Sequence, residues 1–338
     1  MALIQTLTAA EMPWRKALQE SLRTADDLAR EGLIARADIP AYATLLEKYR
    51  FLLPKYYADL IDRNNPLCPI RLQAIPDPRE LRSNRLAVPD PLQDLQNQPT
   101  GRITHRYGNR LLLHLTPNCS MYCRFCFRKT LLNELSEDLF AGSLEHALTY
   151  ISVHSNIEEV IFSGGDPLMS SSATLHGVVR ELAKFPHLER IRFHTRVPVT
   201  FPSRIDTELI QAIAASRFAP IVVTHFNHPK EITAEALAGC QKLIAGGARL
   251  LNQSVLLRGV NDQAATLISL SKGLFSAGII PYYLHHPDPA EGTDHFATSE
   301  IEGLKIYNEM RAQLSGYLVP KYVVDRMGRP YKSLVGAE

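Results

Sequence analysis

The chain has 338 residues, 45% of them hydrophobic and 21% charged, a globular composition long enough for one large α/β domain or two smaller ones. Its formal net charge is +2, with no basic run that would track a phosphate backbone, so nucleic acid is not an expected partner. No apolar stretch reaches a membrane span, the start lacks a secretory signal, and five cysteines with three clustered are no disulfide framework; the chain reads as cytoplasmic, its thiols reduced.

Residues 1–100 form a helical and then irregular extension. "PWRKALQESLRTADDLAREG" and "IPAYATLLEKYRFLLPKYYADLI" carry apolar residues at three-to-four spacing and predict amphipathic helices. From Asn64 to Thr100 proline recurs, which predicts an irregular, wrapping segment. Beyond Arg110 short apolar runs alternate with helical stretches, the signal of βαβ units in a parallel sheet. The predicted strands are "RLLLHLT", "EEVIFSG", "ERIRFHT", "APIVVTHF", "ARLLNQSVLL" and "IPYYLHH", with helices in "GSLEHALTYISVH", "TLHGVVRELAKF", "DTELIQAIAAS", "TAEALAGCQKLIAGG" and "DQAATLISLSKGLFSAG". Right-handed crossovers would curl six such units into an α/β partial barrel, (β/α)6 and TIM-like, over residues 101–318. Residues 319–338 add a last strand and a short tail. Sites in such barrels sit on loops after the strands.

Directly after the first strand comes "CSMYCRFC", which puts Cys119, Cys123 and Cys126 at Cys-x3-Cys-x2-Cys spacing with no fourth cysteine nearby. A structural zinc would need a fourth ligand, with His114 or His105 as candidates, and zinc motifs more often pair two cysteines with a distant second pair. Three thiols packed as small hydrophobes are the plain alternative. A [4Fe–4S] cluster with three irons held by thiolate and one left open has a use for the missing ligand.

With Phe125 before the last cysteine, this motif resembles the signature of the radical S-adenosylmethionine (SAM) enzymes. That resemblance implies a radical SAM barrel, SAM chelated on the open iron, and a 5′-deoxyadenosyl radical released on reduction. One unit on, "FSGGDPL" resembles the family's glycine-glycine-acid motif for the SAM amino group, with Gly164 and Gly165 leaving the strand edge open and Asp166 in the acidic place. His225 in "THFNHP" and Gln253 in "LNQSVLL" stand at later strand ends where family members contact SAM; each is otherwise a satisfied core polar residue.

From about Asn64 to Lys332, "THRYGNRLLLHLTPNCSMYCRFCFR", "EVIFSGGDPL", "TRVPVTFPSRI", "VVTHFNHPKEIT", "NQSVLLRGVND" and "VPKYVVD" together are similar to lysine 2,3-aminomutase. The resemblance implies pyridoxal 5′-phosphate (PLP) beside SAM, and migration of the α-amino group of L-lysine to its β-carbon. It implies Lys332 as the PLP anchor, seven residues after Asp325, and Arg106, Tyr107 and Arg110 as phosphate ligands. Arg128 would grip the substrate carboxylate, and Asp288 with Asp325 the ε-ammonium. Two buried aspartates repel unless a cation lies between them, which suits lysine and not glutamate.

Two departures stand out. The glycine-rich run before the anchor lysine is here "RMGRPY", with one glycine, and no cysteine follows Cys240, so no zinc site is expected. In length and overall likeness the chain resembles the bacterial branch that makes (R)-β-lysine for a lysyl-tRNA-synthetase-like ligase acting on elongation factor P. A flavodoxin-type reductant and a homo-oligomer are implied as well. The rival readings are an aminomutase of another amino acid or of protein-bound lysine, and a non-catalytic metal-binding regulator.

Overall fold

A computed structural model describes residues 13–82 and 86–337. From Pro13 on the extension is helical as its periodicity predicts, but the first stretch breaks into Pro13–Gln19 and Ala25–Arg30. The break is written in a capping box: the Thr24 side chain accepts the Asp27 N–H while the Asp27 carboxylate accepts the Thr24 N–H. Leu22, between the helices, pairs with Leu53 across the extension. Ile39–Lys48, Lys55–Ala58 and Pro69–Ala74 follow, and the proline-rich segment then wraps the barrel with little regular structure.

Nine strands form one sheet whose spatial order is the chain order: β1 (Ile103–Tyr107), β2 (Arg110–Thr116), β3 (Glu159–Gly164), β4 (Arg190–His194), β5 (Ile221–Thr224), β6 (Arg249–Val255), β7 (Ile280–His285), β8 (Lys321–Val324) and β9 (Ser333–Leu334). Strands β2 to β8 are parallel, while β1 and β9 are antiparallel edges. Each of β2 to β7 leads into a helix, at Leu144–Val153, Ser172–Leu182, Thr207–Ile213, Ala234–Ala245, Ala264–Ser276 and Glu300–Gln313. The result is the expected partial barrel of six units, open between its first and last strands.

The six predicted strands lie within a residue or two of these bounds. Four of the elements named here were not foreseen, among them the helix Pro69–Ala74, which lies in the stretch from Asn64 to Thr100 expected to be irregular. β1 is too short and mixed to show alternation, and β9 spans two residues. The helix Glu300–Gln313 buries only Gly303 and Met310, so it shows no apolar stripe.

One buried cluster joins the extension to the barrel: Leu28, Tyr57 and Ile70 share it with Phe162, Phe193 and Val222. Phe162 and Phe193 stack with centroids 4.5 Å apart, packing β3 on β4. The other face of the strands turns inward with a period of two. Arg110 and Leu112, Glu159, Ile161 and Ser163, Arg192 and His194, Gln253 and Val255, and Tyr283 and His285 all line a central cavity of about 520 Å³. Among the described residues no helix is long and apolar enough to cross a membrane.

Candidate active site

The cysteine loop enters the cavity because its neighbours leave room for its backbone. A Cβ on Gly165 would lie 2.6 Å from the Asn118 carbonyl oxygen and 2.8 Å from that of Thr116, so only glycine lets the loop seat against the end of β3. Gly164, at φ +102°, turns the chain there. Both glycines line the cavity, as a pair expected to leave the strand edge open should, and Gly165 in addition makes room for the cysteine loop.

The far side of the loop is fixed by charge. Arg124 is buried, with Nε donating to Glu80 Oε1 at 2.9 Å and Nη1 to the Arg50 carbonyl at 3.2 Å. Lys129 Nζ donates to Glu80 Oε2 at 2.9 Å. Glu80 comes from the proline-rich segment, which thereby clamps the C-terminal end of the cysteine run through Arg124 and Lys129.

Cys119, Cys123 and Cys126 all line the cavity. Burial, then the nearby Asp166 carboxylate, holds the Cys119 thiol well above its ordinary range, and burial with Cys123 pushes Cys126 up to about 11. Three thiolates close together in a buried wall need positive charge to exist. Among the described residues no three His, Cys, Asp or Glu side chains form a ready ligand group. The irons of a cluster would supply the charge that gathers these thiolates, and a donor set of three soft sulfurs fits them.

Beside the loop, Asp166 ties β3 to β4. Its carboxylate accepts from the Leu168 N–H at 3.1 Å, the Thr195 hydroxyl at 2.7 Å and the Arg196 N–H at 2.7 Å. Both oxygens therefore already serve the protein, and Asp166 faces the cavity as a brace between strand ends. His225 and Gln253 line the same cavity, and His225 lies 5.4 Å from Phe125 centroid to centroid. Nε2 of His225 and Nε2 of His194 are buried with no hydrogen-bond partner among the described residues. Burial depresses both imidazoles well below their ordinary range, so each stands neutral on the wall, able to bond a ligand.

Across the cavity the remaining residues converge. Lys332 forms an ion pair with Asp325 Oδ2. Arg106 Nη1 and the Tyr107 hydroxyl both donate to Asp325 Oδ1 at 3.2 Å, and Arg106 Nη2 donates to the Arg326 carbonyl at 2.7 Å. Burial pushes Asp325 up, but Lys332, with His285 and Arg106 behind it, outweighs burial and the carboxyl stays below its usual range. Asp288 forms no ion pair among the described residues: burial, then Asp325, raises it to about 7 against the more distant pull of Lys332, Arg128 and Arg106. Arg128 is buried, its Nε donating to Asp94 Oδ2 at 2.6 Å and its Nη1 to Ser163 Oγ at 3.2 Å. Arg110 lies over the Tyr107 ring at 4.1 Å. A primary amine beside two arginines and a phenol hydroxyl is a donor set that fits an aldehyde cofactor carrying a phosphate.

All fifteen expected residues therefore line one cavity, the cysteines and Lys332 among them. Asp94, Glu80, His194 and Arg196 were not foreseen. Asp94 and Glu80 lie in a stretch without periodicity, 34 and 44 residues from the arginines they hold. His194 and Arg196 carry a legible signal, a polar residue at an inward position of a strand and an arginine just past its end.

Comparison with known proteins agrees with this geometry. A 4Fe-4S single cluster domain model matches residues 106–197. An L-lysine 2,3-aminomutase from Haemophilus influenzae is 39% identical over 96% of this chain and 96% of its own length. The chain belongs to the lysine 2,3-aminomutase family. An aminomutase of the same name from Escherichia coli is 35% identical over 98% of this chain and 97% of its own length, and one from Clostridium subterminale 36% over 93% and 76%. Among solved structures, a radical SAM methyltransferase from Sphaerobacter thermophilus is similar at a TM-score of 0.45 and 16% identity, over 66% of this chain and 69% of that one, too distant to bear on the reaction. Aminomutases of this family are radical SAM isomerases whose cofactors are a [4Fe–4S] cluster, SAM and PLP. The three cysteines and Lys332 line one and the same cavity.

Proposed function

We propose that this radical SAM lysine aminomutase converts free L-lysine to (R)-β-lysine with PLP on Lys332. The observation that carries the reading is the pair Asp288 and Asp325 in one cavity with Arg128, Lys332 and the three cysteines. Lysine bound through its α-amino group offers one carboxylate and one ammonium. Arg128, already aligned by Asp94 and Ser163, is suited to the carboxylate. Asp288 and Asp325 together form an acidic end that a cation would relieve, and no neutral or acidic side chain would do so.

Residue roles follow from this reading. Cys119, Cys123 and Cys126 hold the cluster. Arg106, Tyr107 and Arg110 receive the cofactor phosphate. SAM lies along Gly164, Gly165, Asp166, His225 and Gln253, with the unpartnered Nε2 of His225 as a donor or acceptor for it. PLP, when bound, delocalises the unpaired electron; the protein orients lysine at both ends and keeps water from the radical.

The proposal extends to the bacterial branch that the chain resembles in overall likeness, which supplies β-lysine for elongation factor P in the cytoplasm through a lysyl-tRNA-synthetase-like ligase. A flavodoxin-type reductant and a homo-oligomeric enzyme belong to the same proposal. An anaerobic assay of the reconstituted protein with SAM, PLP, reductant and isotope-labelled L-lysine tests it by mass spectrometry. β-Lysine formed only with SAM supports the reading. SAM cleavage without β-lysine overturns the substrate, and modified or unmodified elongation factor P becomes the next candidate.

A further inference from the structure

Arg196 begins where β4 ends, and it is buried. Its Nη2 donates to Gln73 Oε1 and Glu231 Oε1, each at 2.6 Å, and to the Tyr57 hydroxyl at 3.2 Å. Nε donates to the His225 carbonyl at 3.2 Å. Nη1 is directed elsewhere, to Cys123 Sγ at 2.9 Å. The guanidinium also lies over the rings of Phe125 and Tyr57, 5.0 and 5.5 Å from their centroids.

Its holders are themselves held. Glu231 is fully buried and accepts from the Asn227 and His228 N–H groups at 2.6 and 2.9 Å and from the Tyr57 hydroxyl at 2.6 Å. Gln73 Oε1 accepts from Asn227 Nδ2 at 3.0 Å. A guanidinium is always charged and rigid, so fixing one edge of it aims the other. The edge left over points at sulfur.

We propose that Arg196 is a positioning residue that donates a hydrogen bond to the Cys123 thiolate of the [4Fe–4S] cluster and thereby raises the cluster's reduction potential. The reduced cluster carries one more negative charge than the oxidised one. An N–H bond to a ligating sulfur and a fixed positive charge nearby both favour that form. Tyr57 and Gln73 belong to the N-terminal extension, so this part of the chain bears on Cys123 through Arg196. The inference rests on the cluster reading of the cysteine loop and is independent of which amino acid is turned over.

The test is a potentiometric titration of the reconstituted enzyme followed by electron paramagnetic resonance, with iron and sulfide counted per chain. Wild type, Arg196→Gln and Arg196→Lys are compared. The midpoint should move to more negative potential in Arg196→Gln and lie between in Arg196→Lys, whose single ammonium keeps the charge but cannot reach sulfur, Gln73 and Glu231 together. Arg196→Gln with full iron and sulfide and an unmoved midpoint overturns the proposal. Where the glutamine variant takes up too little iron, pulsed measurements on reduced wild type grown with 15N-arginine decide instead. A nitrogen hyperfine coupling that disappears in Arg196→Lys supports the contact, and no coupling in wild type overturns it. Wild type that binds no iron or sulfide would be a different failure, that of the cluster itself.

Discussion

The two aspartates are at odds at the level of single residues, because Asp325 forms ion pairs and Asp288 forms none among the described residues. Asp288 is displaced from the ordinary 3.8 to about 7, a penalty of at most about 4 kcal/mol, less what water at the cavity mouth screens. Its sign is fixed. Below about pH 4 both folded and unfolded chains hold the proton and nothing is lost; between about 4 and 7 only the unfolded chain ionises, so stability falls as pH rises; above about 7 the loss is complete. Asp288→Asn should therefore stabilise the ligand-free protein against urea at pH 8 by up to a few kcal/mol and hardly at all at pH 4. A gain that does not change with pH would mean that Asp288 is not the buried acid described. Lys332→Ala should abolish turnover and the visible absorbance of bound PLP while iron and sulfide stay at the wild-type level, since Lys332 bonds to Asp325 and not to the cysteine loop. Loss of the cluster as well would make Lys332 a structural residue. Family spacing singled out Lys332, Arg128 and the aspartates in the sequence, and the fold brings all four to one cavity. Asp94 stayed hidden because its pairing with Arg128 is made by folding alone.

Strands and helices of the barrel were legible for a simple reason. The core-facing positions of a parallel strand must be apolar and the helix packed on them must show a stripe, and both patterns survive in a single sequence. Glu300–Gln313 was not, because only Gly303 and Met310 of it are fully buried, Gly303 where a Cβ would run into the Tyr322 hydroxyl, while Leu304, Ile306 and Tyr307 pack only partly against the same cluster and leave too thin a stripe to read. The turn after β3 shows the same limit at closer range. Its Gly-Gly-Asp was readable as a motif, but the reason for the second glycine is contact with Asn118 and Thr116 from another loop. Gly165→Ala must push that backbone away, at a cost of about 1–3 kcal/mol. The variant should unfold at lower denaturant and hold less iron per chain than wild type. Wild-type iron content with lowered stability would show that the cysteine loop seats independently of this turn.

The molecule as a whole is a sheet that does not close by backbone. Its two ends, β1–β2 and β8–β9, meet instead through Arg106, Tyr107, Asp325 and the carbonyl of Arg326. Those side chains are also the ones proposed to seat the phosphate and the substrate ammonium. Taking up PLP would withdraw Arg106 and Tyr107 from Asp325 and commit Lys332, so the same event that fills the site rewires the junction. Hydrogen exchange in residues 103–107 and 321–334 should change on PLP addition more than anywhere in β3 to β6, and uniform or absent change would detach the junction from the cofactor. Lysine should also bind poorly before PLP does, since Asp325 already holds an ammonium, that of Lys332. The seam thus imposes an order of assembly on the enzyme: cofactor first, substrate second, with the protein's own lysine keeping the second place reserved until the first is taken.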